Sequence, residues 1–221
     1  RDRGGRRYIR QAVEASLRRL RTDWIDLYQY HRPDRVTPME ETLAALDELV
    51  TAGKVRYVGS SNLAGWEVSD SAWLAETRGW QPFVSAQNHY SLLERNAERE
   101  LVPACLHHGV GLLPFFPLAN GLLTGKYRKG QPAPRGTRLE GRAIDERDLR
   151  RVETLEAYAA ERGISVLEVA IGGLAAQPGV ASVIAGGTRP EQVTANAAAG
   201  GWEPSAEDLA ALDEIVPSRR P

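Results

Sequence analysis

The sequence has 221 residues, a formal net charge of −1, 42% hydrophobic residues and 26% charged residues, values typical of a globular domain with a sizeable core. The near-zero charge gives no electrostatic reason to expect nucleic acid or an anionic membrane as a partner, and no apolar run approaches the ~20 residues of a membrane span. Cys105 is the only cysteine, so no internal disulfide can form and a reducing compartment, the cytoplasm, is expected.

Helices and short strands alternate from the start of the chain. Apolar residues recur at helical spacing over 9–20, and alternation predicts a strand at 25–31. Thr37 and Glu40 have the spacing of a capping box, with a proline between them at the first helical position. We therefore expect a second helix there, which ends at Gly53.

The middle of the chain continues the alternation. Strands are predicted at 55–60, 83–87 and 111–116, with helices around 65–78 and 94–108 between them. Each of these two helices is followed by a glycine that marks its end.

A long segment at 119–144 is rich in Gly, Pro and Arg, has no periodicity and is expected to be a functional loop. Two further capping boxes follow it, Ser165 with Glu168 and Thr188 with Glu191. The pattern after the loop predicts one strand, at 181–185, and four helices, at about 146–162, 166–176, 188–199 and 205–216.

Five strands separated by helices predict a parallel sheet with right-handed crossovers, for which a doubly wound Rossmann sheet and a (β/α)8 barrel are the candidates. Polar residues stand at the carboxyl ends of successive strands, namely His31, Ser61 with Asn62, and Gln87. Barrel enzymes collect their active sites at that face, and no G-x-G-x-x-G opens the first helix. The pattern therefore favours a barrel of the TIM type, here a partial one with about five of the eight strands.

Five blocks of the sequence, in order, resemble the aldo-keto reductase family: "RRYIRQAVEASLRRLRTDWIDLYQYHRPD", "AGKVRYVGSSN", "VSAQNHYSLLER", "PLANGLLTGKY" and "PEQVTAN". Members of that family are (β/α)8 barrels that reduce aldehydes or ketones with NADPH. The resemblance implies a single barrel domain over residues 1–221, NADP(H) as cofactor and a small-molecule carbonyl substrate. In family terms the sequence lacks roughly the first three β/α units.

His31 is the candidate catalytic residue. An imidazole at the end of a barrel strand can hydrogen-bond a substrate carbonyl, although the spacing alone fits a structural histidine at least as well. The resemblance implies catalysis, because the catalytic histidine of the family falls at this position. The tyrosine, lysine and aspartate that act with it in the family have no counterpart in these residues, and Tyr90 matches a non-catalytic family position.

Ser61, Asn62 and Gln87 are candidates for binding a carboxamide, because side-chain amides and a hydroxyl offer both donors and acceptors. Ordinary turn chemistry is the alternative for Ser61 and Asn62. The resemblance implies that the three hold the nicotinamide carboxamide, and that Phe115 stacks on the nicotinamide ring rather than simply filling the core.

The resemblance also implies contacts along the rest of the cofactor. Phe116 stands where a serine is commoner, so one polar contact to the cofactor is expected to be missing. The other implied residues are Pro117, Leu118 and Asn120 along the pyrophosphate, Lys126 in a salt bridge with the cofactor, and Arg138 at the adenine end.

The stretch "AGGTRPEQ" predicts an anion site without reference to any family. Paired glycines let the backbone approach a ligand, a helix start offers N–H groups, and Arg189 adds a cation, although a plain strand-to-helix turn remains the alternative. The resemblance implies that the adenosine 2′-phosphate lies among Gly186, Thr188, Arg189, Gln192 and Asn196.

Two hypotheses for function are consistent with these residues. The first is an NADPH-dependent reductase of aldehydes or ketones, and the second is a non-enzymatic nucleotide-binding protein that resembles the family's channel-associated β subunits or is a truncated relative. The presence of the family's tyrosine, lysine and aspartate in the complete protein would distinguish them. The carbonyl substrate and the oligomeric state follow from neither hypothesis.

Overall fold

The computed structural model describes residues 3–128 and 130–218. It divides into two compact units, unit 1 with Arg1–Asn88 and Glu100–Leu112 and unit 2 with His89–Arg99 and Leu113–Pro221. The single barrel domain expected over 1–221 stays a prediction, and residues 1, 2, 129 and 219–221 of that span lie outside the described residues.

Unit 1 is a parallel sheet whose strands are connected by helices. Its four strands lie side by side in chain order, and every neighbouring pair is parallel, as expected for part of a (β/α)8 barrel. The strands are β1 (Ile25–Tyr30), β2 (Val55–Ser61), β3 (Phe83–Gln87) and β4 (Gly111–Leu112). The helices are α1 (Arg6–Leu20) before β1, and α2 (Met39–Thr51), α3 (Gly65–Arg78) and α4 (Leu101–His108) between successive strands.

The apolar spacing of unit 1 explains its helices. Ile9, Val13 and Leu17 are four residues apart in α1, so they share one face of the helix, and all three are buried. In α2 the buried residues include Leu43 and Leu46, three residues apart. Burial of such side chains stabilises the unit by roughly 1.5–3 kcal/mol each.

Unit 2 is built mainly from helices. Its core joins side chains of three helices, with Leu155, Val169 and Leu212 almost fully buried. The helices are α5 (Glu146–Glu161), α6 (Val166–Ala175), α7 (Pro190–Ala199) and α8 (Ala206–Ile215), with short 3-10 helices at Asn96–Arg99 and Ala119–Thr124.

The strand predicted at 111–116 is shorter than expected, because only Gly111–Leu112 pairs as a strand. Pro114 has no N–H to give to a ladder, and Phe116 has a left-handed φ of 56°, which turns the chain out of the extended conformation. The prediction of a continuous strand over 111–116 is therefore wrong beyond Leu112.

The strand predicted at 181–185 is wrong. The segment contributes a bridge between Ile184 and Phe115, in which the Ile184 N–H donates to the Pro114 carbonyl at 2.9 Å. The parallel sheet of the described residues accordingly has four strands rather than five, and it is open.

The capping box predicted at Thr37 and Glu40 is wrong, because α2 begins after Pro38 and has no side-chain cap. The Thr37 hydroxyl instead donates to Oδ2 of Asp34 at 2.8 Å. The helix predicted at 94–108 is also divided, since Glu100 has a φ of −139° that interrupts the helical backbone.

Of the other two predicted capping boxes, one is confirmed and one is wrong. Ser165 and Glu168 form a reciprocal capping box at the start of α6, as predicted. Thr188 and Glu191 do not, because the Thr188 N–H and hydroxyl both donate to Oε1 of Gln192. No helix in the part of the chain that the structure describes is long and apolar enough to cross a membrane.

Candidate active site

Four of the predicted site residues lie together at the carboxyl ends of the long strands of unit 1. His31 follows β1 directly, Ser61 is the last residue of β2, and its register partner Gln87 is the last residue of β3. Asn62 follows Ser61 and contacts both neighbouring strand ends. The parallel register therefore brings these residues to one end of the sheet.

Asn62 links the ends of all three strands. Its Nδ2 donates to the His31 carbonyl oxygen at 2.9 Å and to Ser61 Oγ at 2.9 Å. Its backbone N–H donates to the Gln87 carbonyl at 3.1 Å. A φ of 59° places Asn62 in the left-handed region, which asparagine tolerates better than most residues, and this turn sends its backbone and side chain to opposite neighbours.

The Ser61 hydroxyl already forms hydrogen bonds within the protein. Ser61 is 2% exposed, donates to the Gln87 carbonyl at 2.8 Å and accepts from Asn62. Within the described residues, no protein hydrogen bond is formed by Asn62 Oδ1, the Gln87 side-chain amide or the His31 imidazole. Those groups offer a ligand hydrogen-bond acceptors and donors, including an imidazole ring, so they can bind a carboxamide and a carbonyl oxygen.

A second row of residues lies beneath this end of the sheet, and it was not predicted from the sequence. Gly59 is the register partner of both Gln29 and Ser85, and a Cβ on Gly59 would lie 2.3 Å from Ser85 Oγ. Gln29 Oε1 and Ser85 Oγ are buried without a hydrogen-bond partner among the described residues. A glycine inside a β-branched strand was the available signal, since it often marks close approach.

Asp34 fixes the loop that follows His31, and it too was missed. Its carboxylate accepts hydrogen bonds from the N–H groups of Gly4, Val36 and Thr37 at 2.7–2.9 Å. Burial raises the pKa of Asp34, but these backbone hydrogen bonds outweigh burial and hold the pKa well below its usual range. An aspartate directly after a proline was the signal for such a turn.

In unit 2, Phe115 lies in a cluster of rings. The His89 ring stacks beside it with centroids 5.6 Å apart and planes 12° apart, and the Phe116 ring meets both edge-on. The Arg138 guanidinium lies 5.7 Å from the centroid of the Phe116 ring, within cation–π range. His89 was not predicted, although it is two residues beyond Gln87 in the same alternating run.

The segment after Phe116 is strained. Phe116, Ala119 and Asn120 have φ values of 56°, 46° and 59°, and Gly121 follows at 95°. Non-glycine residues adopt such values at a cost and are frequent at ligand-binding sites. Pro117 is buried and Leu118 half-buried within this segment.

Lys126 lies against the same segment. Its Nζ is 3.1 Å from the position that a Cβ on Gly121 would occupy, and 5.4 Å from the Tyr127 ring centroid. Among the described residues it forms no ion pair with a carboxylate within 4.0 Å. An exposed ammonium group beside a strained turn is suited to bind an anion.

The predicted anion site at the start of α7 is organised by its own side chains. Gln192 Oε1 accepts from the N–H and the hydroxyl of Thr188, and Asn196 Nδ2 donates to the Gly186 carbonyl at 3.4 Å. Arg189 is exposed at the N-cap position, and the space that a Cβ on Gly186 would take is open. A cation and open backbone thus stand together at a helix N-terminus, where an anion is favoured.

Comparison with known proteins places the sequence in a family. The model of the aldo/keto reductase family matches residues 1–217. The chain is 40% identical over 171 residues to versiconal hemiacetal acetate reductase of Aspergillus parasiticus, covering 75% of this chain and 50% of that protein. It is 39% identical over 210 residues to the uncharacterized oxidoreductase YrpG of Bacillus subtilis, covering 95% of this chain and 64% of that protein.

Another relative carries a different description. The chain is 35% identical over 205 residues to a probable voltage-gated potassium channel subunit beta of Arabidopsis thaliana, covering 88% of this chain and 62% of that protein. The chain therefore spans about half to two thirds of the length of these curated relatives.

Proposed function

Because the chain belongs to the aldo/keto reductase family, we propose that the protein is an NADPH-dependent oxidoreductase that reduces aldehydes or ketones to alcohols. The proposal rests on one observation, which is that His31, Asn62 and Gln87 lie together at one end of the sheet of unit 1. When bound, NADPH supplies the hydride.

In unit 1 we assign the nicotinamide carboxamide to Asn62 and Gln87. Asn62 Oδ1 accepts from the carboxamide N–H, and the Gln87 amide matches the remaining donor or acceptor. The Ser61 hydroxyl accepts from the Asn62 side chain and donates to the main-chain carbonyl of Gln87, so it holds the side chain of the first and the main chain of the second. Asn62 Oδ1 and the Gln87 side-chain amide fit a carboxamide because they form no hydrogen bond within the described residues, while the main chain of both residues is held by hydrogen bonds.

His31 acts on the substrate oxygen. Its imidazole is exposed and its main chain is held at the end of β1. Reduction of a carbonyl develops negative charge on oxygen, and a positioned N–H donor stabilises that charge. His31 therefore polarises the carbonyl and favours its protonation to the alcohol.

In unit 2 we assign the phosphates to cationic residues. Arg189 binds the 2′-phosphate with Gly186, Thr188, Gln192 and Asn196 around it, which gives the preference for NADP(H) over NAD(H). Lys126 pairs with the pyrophosphate. The remaining assignments are Phe115 on the nicotinamide ring, Pro117, Leu118 and Asn120 along the pyrophosphate, Arg138 at the adenine end, and Phe116 as the ring that Arg138 covers.

The test is NADPH consumption by the full-length protein with 4-nitrobenzaldehyde as the carbonyl substrate. We expect turnover with NADPH that exceeds turnover with NADH, and formation of the alcohol in equal amount. Absence of alcohol formation with either cofactor, across aliphatic and aromatic aldehydes and ketones, would contradict the proposal.

A second candidate function is a nucleotide-binding subunit without catalytic turnover. It is favoured by the similarity to the potassium channel subunit beta of Arabidopsis thaliana. Both functions predict NADPH binding, so the amount of alcohol formed per protein separates them. Tight NADPH binding without turnover would support the second.

A further inference from the structure

Asn62 makes a contact that cofactor binding alone does not require. Its Nδ2 donates to the main-chain carbonyl of His31 at 2.9 Å. The strand pairing of β1 with β2 ends at Tyr30 and Ser60, one residue before His31. The Asn62 side chain therefore supplies a donor to β1 just beyond the last pair of the ladder.

The backbone of Asn62 explains why its side chain takes this role. The Asn62 N–H donates to the Gln87 carbonyl on β3 at 3.1 Å, and the left-handed φ of 59° sets the direction of the side chain relative to that N–H. The N–H is thus committed to one neighbouring strand, and the side chain reaches the other. Asn62 holds β1 and β3 from a single position at the end of β2.

The partners fix which way the amide points. The His31 carbonyl oxygen can only accept, so the group that faces it must be the Nδ2 donor. The Ser61 hydroxyl donates to the Gln87 carbonyl and therefore accepts from the same Nδ2. Both partners give the same orientation, which leaves Oδ1 as the only polar atom of the side chain available to a ligand.

We propose that Asn62 is a positioning residue for His31, and that cofactor binding at Asn62 Oδ1 fixes the main chain of His31 through the same planar amide. This inference rests on the proposed function, since it takes the carboxamide of NADPH as the group bound at Oδ1. The terminal torsion of an asparagine has a broad range, and Oδ1 and Nδ2 rotate together about it. A ligand that holds Oδ1 consequently restrains Nδ2 and the carbonyl that Nδ2 contacts.

The His31 carbonyl can be observed on its own, because His31–Arg32 is the only His–Arg pair in the 221 residues. Protein labelled with 13C at histidine carbonyls and 15N at arginine gives an NMR cross-peak for that peptide bond, and loss of the peak in Arg32→Lys identifies it. A carbonyl carbon moves upfield when its oxygen loses a hydrogen bond. The full-length protein is used throughout.

Two variants of Asn62 separate its two roles. Asn62→Asp keeps the Oδ1 acceptor and tolerates the left-handed backbone but has no Nδ2 donor, whereas Asn62→Gly removes both atoms. We expect the His31–Arg32 peak to move upfield in both, and kcat to fall roughly 2- to 12-fold as expected for one hydrogen bond. The dissociation constant of NADPH should rise more in Asn62→Gly than in Asn62→Asp.

Asn88→Asp is the matched control. Asn88 Nδ2 donates to the Leu63 carbonyl at 2.9 Å, a bond of the same kind and length that does not involve His31. We expect the control to leave the His31–Arg32 peak and kcat unchanged. NADPH titration of the wild-type protein gives a second readout, in which the peak should shift on binding and should not shift in Asn62→Gly at saturating NADPH.

The outcomes distinguish this inference from the proposed function. If the wild-type protein neither binds NADPH nor turns over a carbonyl, the proposed function fails. If the wild-type protein binds and turns over while the peak and kcat are the same in wild type, Asn62→Asp and Asn88→Asp, the positioning role of Asn62 is overturned. If an Asn62 variant folds poorly, the NADPH titration of the wild-type protein decides the question. A His31–Arg32 peak that does not shift at saturating NADPH overturns the inference.

Discussion

Tyr90 donates its hydroxyl hydrogen to Oε1 of Glu98 at 2.8 Å, and only 2% of its surface is exposed. The Glu98 carboxylate also accepts hydrogen bonds from Nε of Arg95 at 2.6 Å and from Nη2 of Arg95 at 3.1 Å. Arg95 also reaches Asp213 and the Val216 carbonyl, so the cluster connects the segment after β3 to the end of unit 2. We therefore expect Tyr90 to act in stability and not as a proton donor to substrate.

Tyr90→Phe is predicted to destabilise the protein without changing catalysis. Loss of a hydrogen bond to a buried carboxylate should lower the free energy of unfolding by about 1.5–3 kcal/mol. Urea denaturation measures the change, and Tyr57→Phe, at a residue 57% exposed, is the control with little expected effect. Abolished turnover at unchanged stability would show that Tyr90 is a catalytic acid.

Asp34→Asn is predicted to cost more stability at neutral pH than in acid. The pKa of Asp34 is lowered in the folded state, so its contribution is fully present above the ordinary pKa of an aspartate and is lost as pH falls through the lowered value. The difference in unfolding free energy between wild type and variant should therefore shrink below about pH 4. Asp23→Asn, at an exposed residue, is the control, and a difference that does not vary with pH would contradict the prediction.

Gly59→Ala is predicted to be destabilising because of one neighbour. The added Cβ would lie 2.3 Å from Ser85 Oγ, and such overpacking costs about 1–3 kcal/mol. Ser85→Ala removes a hydroxyl that has no hydrogen-bond partner among the described residues, and it should be nearly neutral alone. Gly59→Ala with Ser85→Ala should then be more stable than Gly59→Ala, and strictly additive unfolding free energies would refute the clash.

Arg189→Ala is predicted to weaken NADPH binding selectively. A charge-assisted contact to the 2′-phosphate is worth roughly 1.5–3 kcal/mol, and NADH has no such phosphate. Fluorescence titration with both cofactors measures the two dissociation constants, with Arg99→Ala as a control at another exposed arginine. Equal losses of affinity for NADPH and NADH would mean that the phosphate is bound elsewhere.

The sequence allowed the end of the sheet to be predicted because strand periodicity and parallel order are local properties. Ser61 and Gln87 are the last residues of their strands and His31 follows its strand directly, and neighbouring parallel strands have their carboxyl ends at the same edge of the sheet. The link from Asn62 to the His31 carbonyl could not be predicted, since it depends on a left-handed turn at Asn62 that a Ser-Ser-Asn stretch permits but does not require.

Longer-range geometry explains the errors. "VASVIAGG" has the β-branched composition of a strand, yet its pairing depends on Phe115, which lies between two prolines without N–H donors. Thr37 has the spacing of an N-cap, but Asp34 competes for its hydroxyl and for its N–H. The contact between Ser85 and Gly59 depends on the register of their two strands, which composition does not determine.

We infer that His31 acts on the substrate carbonyl during hydride transfer from NADPH. Single-turnover kinetics of the full-length protein, preloaded with NADPH and mixed with 4-nitrobenzaldehyde, compare wild type with His31→Ala most directly. We predict that the rate constant for NADPH oxidation falls about a hundredfold or more, while the dissociation constant of NADPH is unchanged. A rate constant equal to that of the wild type would contradict a role of His31 in the reaction.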